Sequence, residues 1–87
     1  MTTEPTAGPG AGTEQTVLRI WSGVLKRDSI AGDDDFFAIG GNSMSATLST
    51  YKLREEFAVE LPLMLIFENP TAVELAKAID ELVAQKG

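Results

Sequence analysis

The sequence predicts an all-α domain, a small bundle of four helices in which the third helix is short. Hydrophobic residues recur at helical spacing in several separate segments, and Gly, Asp, Asn and Pro residues stand between those segments. No pair of alternating apolar and polar runs is joined by a tight turn, as a β-hairpin requires. The chain has 87 residues, 44% of them hydrophobic, so a single packed core is expected.

The first helix is predicted to follow a leader without regular structure. Residues 1–12 are rich in Gly, Pro, Thr and Ala and have no hydrophobic period, so we expect disorder there and place one domain over residues 13–85. Helix one begins at Thr13 and ends near the basic pair 26–27, which suits the negative end of a helix. Its apolar stripe, which places the only tryptophan in the core, consists of Val17, Leu18, Ile20, Trp21, Val24 and Leu25.

A long connection leads from the first helix to the second. It runs to Asn42 and is longer than most links between helices, so it should be functional or held down by its own apolar residues. We expect that anchoring from Ile30, Phe36, Phe37 and Ile39. Asn42 is a suitable N-cap for a second helix that runs to about Phe57.

The third and fourth helices are predicted from proline and capping signals. Pro62 fits the first position of a short helix, which the Asn-Pro pair at 69–70 then ends. Thr71 and Glu74 form a capping-box pattern, so the fourth helix should begin there and reach about Ala84. Its periodic apolar residues are Val73, Leu75, Ala76, Ile79, Leu82 and Val83.

Charge and composition exclude several classes of function. The net charge of -6 and the scattered seven Lys and Arg residues argue against nucleic-acid or anionic-membrane binding, and favour partners with basic docking faces. No apolar run has the length of a membrane span, and no secretion signal opens the chain, so a cytoplasmic monomer is expected. The absence of cysteine excludes disulfides and thiolate metal sites.

Three sites suggested by short motifs are not supported. Ser43 in the run GGNSMSA partly matches a hydrolase nucleophile elbow, but the last glycine, the preceding strand and any histidine base are missing. The acidic run 33–35 lacks the further oxygen ligands of a calcium loop, because Phe37 and Ile39 stand at alternate positions. A solvated turn capped by one of these carboxylates is favoured. The glycine pair 40–41 has no phosphate-loop spacing.

Two interpretations of Ser43 remain. It can serve only to start the second helix, a position that suits serine. Alternatively, because Asn42 can cap the helix alone, the Ser43 hydroxyl is open to modification by another protein. The positive end of the helix would then stabilise an attached phosphate.

The stretches DDDFFAIGGNSMSA and LREEFAVELPLMLIFENPT resemble the thiolation, or peptidyl carrier, domain of nonribosomal peptide synthetases, and the resemblance covers nearly all of residues 13–82. It implies an acyl-carrier-protein-like fold that is not an enzyme. It also implies that Ser43 receives 4'-phosphopantetheine from coenzyme A and that the arm's thiol carries an aminoacyl or peptidyl group as a thioester. The implied partners are a phosphopantetheinyl transferase and adenylation, condensation, thioesterase or tailoring enzymes.

Some features leave alternatives open. Asn42 stands where relatives commonly have His or Asp, which leaves the transferase unassigned, whereas Gly41 favours a peptidyl carrier over a polyketide or aryl acyl carrier. An unmodified helical interaction module is the alternative from a different class. Met1 and the short leader favour a free-standing protein over an excised domain. The sequence does not name the cargo or say whether the cargo is modified while tethered.

Apolar residues near Ser43 are expected to form a docking surface. On helix two, Met44, Thr47, Leu48 and Tyr51 form one stripe, whereas Ala46, Leu53 and Phe57 form a second, and both cannot face the core. For Met44, the sequence favours a core position and a surface position equally. On the third helix, the resemblance implies that Leu63, Ile66 and Phe67 are buried. Met64 and Leu65 are therefore predicted as exposed partner contacts.

Overall fold

The computed structural model describes residues 9–86, with side chains over residues 12–85. Four helices form this part of the chain: α1 Pro9–Leu25, α2 Ser43–Phe57, α3 Met64–Glu68 and α4 Ala72–Lys86. The only β-type pairing among these residues is an isolated bridge between Asp35 and Thr71. The predicted all-α architecture, with a short third helix, is confirmed.

Helix α1 begins earlier than its hydrophobic pattern indicates. The helix includes residues 9–12, which the sequence pattern assigned to the leader, while residues 1–8 lie outside the described part. Pro9 suits the first helical position because its fixed φ is helical. The N–H group that proline lacks would have no intrahelical acceptor at that position. The helix ends at Leu25, where Lys26 adopts a left-handed φ of 57° and the Arg27 N–H donates to the Ser22 carbonyl at 3.1 Å.

The core lies where α1 packs against α4 and α2. Trp21 is fully buried, as predicted, and its ring lies 4.8 Å from that of Phe36, centroid to centroid. Both rings belong to a cluster of buried residues: Val17, Ile20, Trp21, Phe36, Ala46, Leu53, Leu61, Ile66, Ala72, Leu75 and Ile79. Every helix contributes to this cluster, so one core serves the whole described chain.

The long connection over residues 26–42 is held by side chains and by the backbone. Ile30 and Phe37 pack against the core, as predicted, and Phe36 is fully buried within it. The Phe36 N–H donates to the Pro70 carbonyl at 2.7 Å, and the Val73 N–H donates to a carbonyl of the connection at 3.1 Å. These bonds tie the connection to the start of α4, and the sequence pattern did not predict them.

The acidic run serves as a set of backbone caps. One Asp35 carboxylate oxygen accepts the N–H groups of Phe37 at 2.8 Å and Ala38 at 3.1 Å, and Asp34 accepts the Ala31 N–H at 2.9 Å. The predicted capped turn is therefore confirmed. Over residues 9–86, the structure brings together no group of three or more acidic, His or Cys side chains that could hold a metal ion.

The starts of α3 and α4 differ in how well the sequence predicts them. Pro62 is two residues before α3, where its carbonyl accepts the Leu65 N–H at 3.0 Å, so its predicted first-position role is wrong. Thr71 caps α4 by accepting the Glu74 N–H at 3.2 Å, and the helix runs to Lys86, two residues beyond the expected end. None of the helices described is long and apolar enough to cross a bilayer.

Candidate functional site

Ser43 is the first residue of α2, and a tight turn over Phe36 brings it to the surface. Gly40 has a φ of 115°, which disfavours any side chain, and the Gly41 N–H donates to the Phe36 carbonyl at 2.9 Å. A Cβ at Gly41 would lie 2.6 Å from that carbonyl oxygen and closer still to two ring carbons of Phe36. The glycine pair thus lets the chain cross a buried aromatic ring immediately before Ser43.

The residues on either side of Ser43 cap the helix. The Asn42 side-chain oxygen accepts the Ser45 N–H at 3.0 Å, and the Ser45 hydroxyl oxygen accepts the Asn42 N–H at 2.8 Å. This reciprocal capping box confirms Asn42 as the N-cap, whereas the role of Ser45 was not predicted. Within residues 9–86 the Ser43 hydroxyl makes no hydrogen bond, so the helix start does not depend on it.

The surroundings of the Ser43 hydroxyl combine exposure with free backbone donors. The side chain is exposed, and the first backbone bond of the helix runs from the Ala46 N–H to the Asn42 carbonyl at 2.8 Å. The N–H groups of Ser43 and Met44 therefore find no acceptor in the part of the chain that the structure describes. Such donors and the helix dipole favour an anion next to the hydroxyl.

Within residues 9–86, no side chain hydrogen-bonds the Ser43 hydroxyl, so none is placed to activate it. The chain contains neither histidine nor cysteine, and a serine hydroxyl without an adjacent base is a weak nucleophile. In the described part of the chain, the site therefore presents an exposed hydroxyl with no base hydrogen-bonded to it.

An apolar surface continues from Ser43 along α2. Met44 is 82% exposed, so the interpretation of it as a core residue is wrong, and Leu48 and Tyr51 are exposed beside it. With Ser43 and Thr47, these residues line one shallow depression. The opposite stripe faces inward, with Ala46 and Leu53 fully buried and Phe57 packed against the core.

Helix α3 exposes a different set of residues from the one expected. Met64 is 59% exposed, as predicted, but Leu65 is half-buried and packs against the core, so it is less exposed than predicted. Ile66 is buried, as the family resemblance implied. A single short helix cannot bury two opposite faces, and Ile66 and Leu65 together fix which face α3 turns inward.

Leu63 and Phe67 are the exposed residues that the sequence did not identify. The expectation that they are buried is wrong, because both are more than one-third exposed. Phe67 lies with one face against Phe37, the ring centroids 5.0 Å apart. Leu63 shares a second depression with Thr47 and Tyr51, and neither Met64 nor Leu65 lines it. Five consecutive apolar residues carry no periodicity, so no signal in the sequence distinguished the faces of α3.

The comparisons with known proteins agree on one family. The family model described as "Phosphopantetheine attachment site" matches residues 15–79. Tyrocidine synthase 3 of Brevibacillus parabrevis is 42% identical to the chain over 78 residues, which are 90% of this chain. Phosphinothricin tripeptide synthetase PhsB of Streptomyces viridochromogenes is 38% identical over 73 residues, or 84% of this chain. The chain spans only 1% of the length of the first relative and 6% of the second.

Two solved structures have closely similar folds. BlmI, a type-II acyl carrier protein of Streptomyces verticillus involved in bleomycin biosynthesis, gives a TM-score of 0.80 at 29% identity, covering 83% of this chain and 87% of BlmI. A chain in the complex of the phosphopantetheine transferase Sfp with coenzyme A and a peptidyl carrier protein gives a TM-score of 0.77 at 33% identity. The match covers 91% of this chain and 97% of that one.

Proposed function

The chain belongs to the phosphopantetheine attachment family and is a non-catalytic carrier domain, and from this premise we propose that Ser43 is the residue to which 4'-phosphopantetheine is attached. One observation carries the proposal: the Ser43 hydroxyl is exposed at the start of α2 and makes no hydrogen bond, while Asn42 and Ser45 cap the helix. A serine that is not needed for capping is available as an acceptor.

The local chemistry fits an attached phosphodiester. The free N–H groups of Ser43 and Met44 lie next to the hydroxyl, where a phosphate would take the place of an acceptor they lack. No side chain within residues 9–86 hydrogen-bonds the Ser43 hydroxyl, so its deprotonation falls to the transferase. When attached, the arm supplies a terminal thiol that holds an acyl group as a thioester.

The proposed cargo is an aminoacyl or peptidyl group for nonribosomal peptide biosynthesis. The similarity to a phosphinothricin tripeptide synthetase supports this, as does the resemblance of the loop before Ser43 to peptidyl carriers. The proposed partners are a phosphopantetheinyl transferase and adenylation, condensation, thioesterase or tailoring enzymes. Loading of the modified protein by an adenylation enzyme, and not by an acyltransferase, is the expected result. The reverse would assign it to polyketide or aryl acyl carriers.

The proposed docking surface for these enzymes lies beside Ser43. It consists of Met44, Thr47 and Leu48 on α2 and Met64 on α3, with Leu65 contributing only the part of its side chain that is exposed. Exposed apolar residues of this kind, next to an acceptor hydroxyl, suit a surface that meets several enzymes in turn.

Intact-mass spectrometry tests the attachment site. The protein is incubated with coenzyme A and Sfp, and we expect the mass to increase by one phosphopantetheine. Ser43→Ala should gain nothing, whereas Ser45→Ala, the matched control two residues along α2, should still be modified. No gain by the unsubstituted protein, or an equal gain by Ser43→Ala, would refute the assignment.

Aspartate substitutions test the docking surface. Met44→Asp and Met64→Asp remove exposed apolar contacts, so the thermal midpoint should change little while the KM of the transferase rises about tenfold in at least one of them. Val83→Asp on α4 replaces an exposed apolar residue far along the chain and should leave the KM unchanged. Unchanged kinetics in both methionine variants would count against this surface.

A further inference from the structure

A third depression lies between α1 and α2, and the charged side chains that line it are basic, whereas the whole protein is acidic. Three of the chain's seven basic residues line it, and no acidic residue does. Apolar residues stand between these cations, and one glycine completes the lining. The residues are Arg19, Ile20, Gly23, Val24, Lys26, Leu48 and Lys52.

The cations in this depression are largely available to a partner. Lys26 and Lys52 are exposed and make no ion pair within residues 9–86, while Arg19 contacts Glu56 at 3.4 Å with both side chains still exposed. The protein carries a net charge of -6, so this cluster is a local reversal of sign. The expectation of basic partner faces, drawn from net charge, does not extend to this surface.

No contact within the described chain explains why residue 23 is a glycine. A Cβ there would meet nothing within 4 Å, so no neighbouring group requires the missing side chain, and its φ is not in the left-handed region. Glycine in a helix is less stable than alanine, so the position costs stability without improving the packing of this chain. What the glycine does provide is open space on the α1 surface, directly in the depression.

We propose that the depression between α1 and α2 docks an acidic, amphipathic segment of a partner protein, with an apolar side chain of that segment seated over Gly23. Arg19, Lys26 and Lys52 would contact the acidic side chains, and Val24 and Leu48 the apolar ones. A small anion fits less well, because all three cations are exposed and the same depression is also lined by apolar side chains that an anion would not contact favourably.

The surface is continuous with the one beside Ser43. Leu48 lines this depression and also the one that Ser43 lines, so a partner seated between α1 and α2 lies next to the residue at which the arm is proposed to be attached only through Leu48. The inference rests on the proposed function only where it relates the partner to an arm on Ser43. The docking contacts themselves do not require the Ser43 hydroxyl. Binding can therefore be measured on Ser43→Ala, and failure of docking is distinguishable from failure of attachment.

Nuclear magnetic resonance titration of ¹⁵N-labelled Ser43→Ala protein tests the proposal. The probe is a synthetic amphipathic helical peptide of Leu and Glu, compared with the same peptide carrying Lys for Glu and with coenzyme A. The acidic peptide should shift the amides of Gly23, Lys26 and Leu48, and the shifts should weaken from about 0.1 M to about 1 M salt. No shifts, equal shifts with the Lys peptide, or the same shifts with coenzyme A would each overturn the proposal.

Two substitutions sharpen the test. Gly23→Ala should raise the thermal midpoint by about 2–6 °C while weakening peptide binding, a combination that a purely structural role would not produce. Lys52→Glu should weaken binding about fivefold, whereas Lys77→Glu, an exposed lysine on α4 outside the depression, should not. Unchanged binding in both Gly23→Ala and Lys52→Glu would refute the docking site.

Discussion

Substituting Gly41 by alanine should destabilise the protein by obstructing the turn that presents Ser43. The new methyl group would lie 2.6 Å from the Phe36 carbonyl oxygen and closer still to the Phe36 ring, where ordinary contacts begin near 3.4 Å. The ring cannot move aside, because Phe36 is fully buried and lies against Trp21. Relief of the overlap therefore requires the turn itself to move.

The cost can be estimated from the contacts that must change. Overpacking of a core costs about 1–3 kcal/mol, and weakening the 2.9 Å bond from the Gly41 N–H to Phe36 adds about 1 kcal/mol. The sum of about 2–4 kcal/mol is a large part of the roughly 5–10 kcal/mol expected for a domain of this size. The thermal midpoint, followed by circular dichroism, should fall by about 10–25 °C.

A double-mutant cycle with Phe36→Leu isolates the clash. Because leucine removes the ring that the methyl group would meet, Gly41→Ala should cost about 1 kcal/mol less in that background. Gly40→Ala is the matched control, because its Cβ has open space and its cost of about 1–2 kcal/mol arises only from the φ of 115°. Strict additivity in the cycle, or an unchanged midpoint in Gly41→Ala, would refute the reasoning.

Three further predictions concern stability and are checked by thermal unfolding. Asn42→Ala should lower the midpoint by about 4–8 °C through loss of the N-cap, and Asn42→Asp should not, because a carboxylate also accepts the Ser45 N–H. Ser49→Ala should raise the midpoint, because the fully buried hydroxyl has no partner within the described chain; a lower midpoint would show that it is hydrogen-bonded in solution. Leu65→Ala should cost about 1–2 kcal/mol and Met64→Ala under about 0.5 kcal/mol, and equal losses would contradict the assignment of the inward face of α3.

Under the proposed function, a protein without histidine or cysteine takes part in acyl transfer because other molecules supply the reactive groups. The fold supplies a fixed, exposed hydroxyl, free backbone donors and an apolar surface beside it. In this proposal the modifying enzyme would supply the base, and the attached arm would supply the thiol. The residues around Ser43 keep its hydroxyl accessible and hold it at the start of the helix, and glycine, asparagine and serine suit both roles.

The sequence was most informative where local chemistry decides the structure. Asn42 before a helical pattern, and Thr71 three residues before Glu74, predicted two helix starts because capping depends on atoms within one turn. Prediction was weakest in the apolar run of α3. Leu63 and Phe67 were expected to be buried and are exposed, whereas Leu65 was expected to be exposed and is half-buried, because tertiary contacts decide which face turns inward.

By itself, then, the sequence determined the helical architecture, the candidate acceptor Ser43 and the absence of catalytic groups beside it, since hydrophobic spacing, caps and composition are properties of neighbouring residues. Only the tertiary structure decided that Met44 is exposed while Ala46 and Leu53 on the same helix are buried. It also brought Lys26 and Lys52 to one depression in an acidic protein. These residues are distant along the chain, and only the packing of α2 against α1 brings them together.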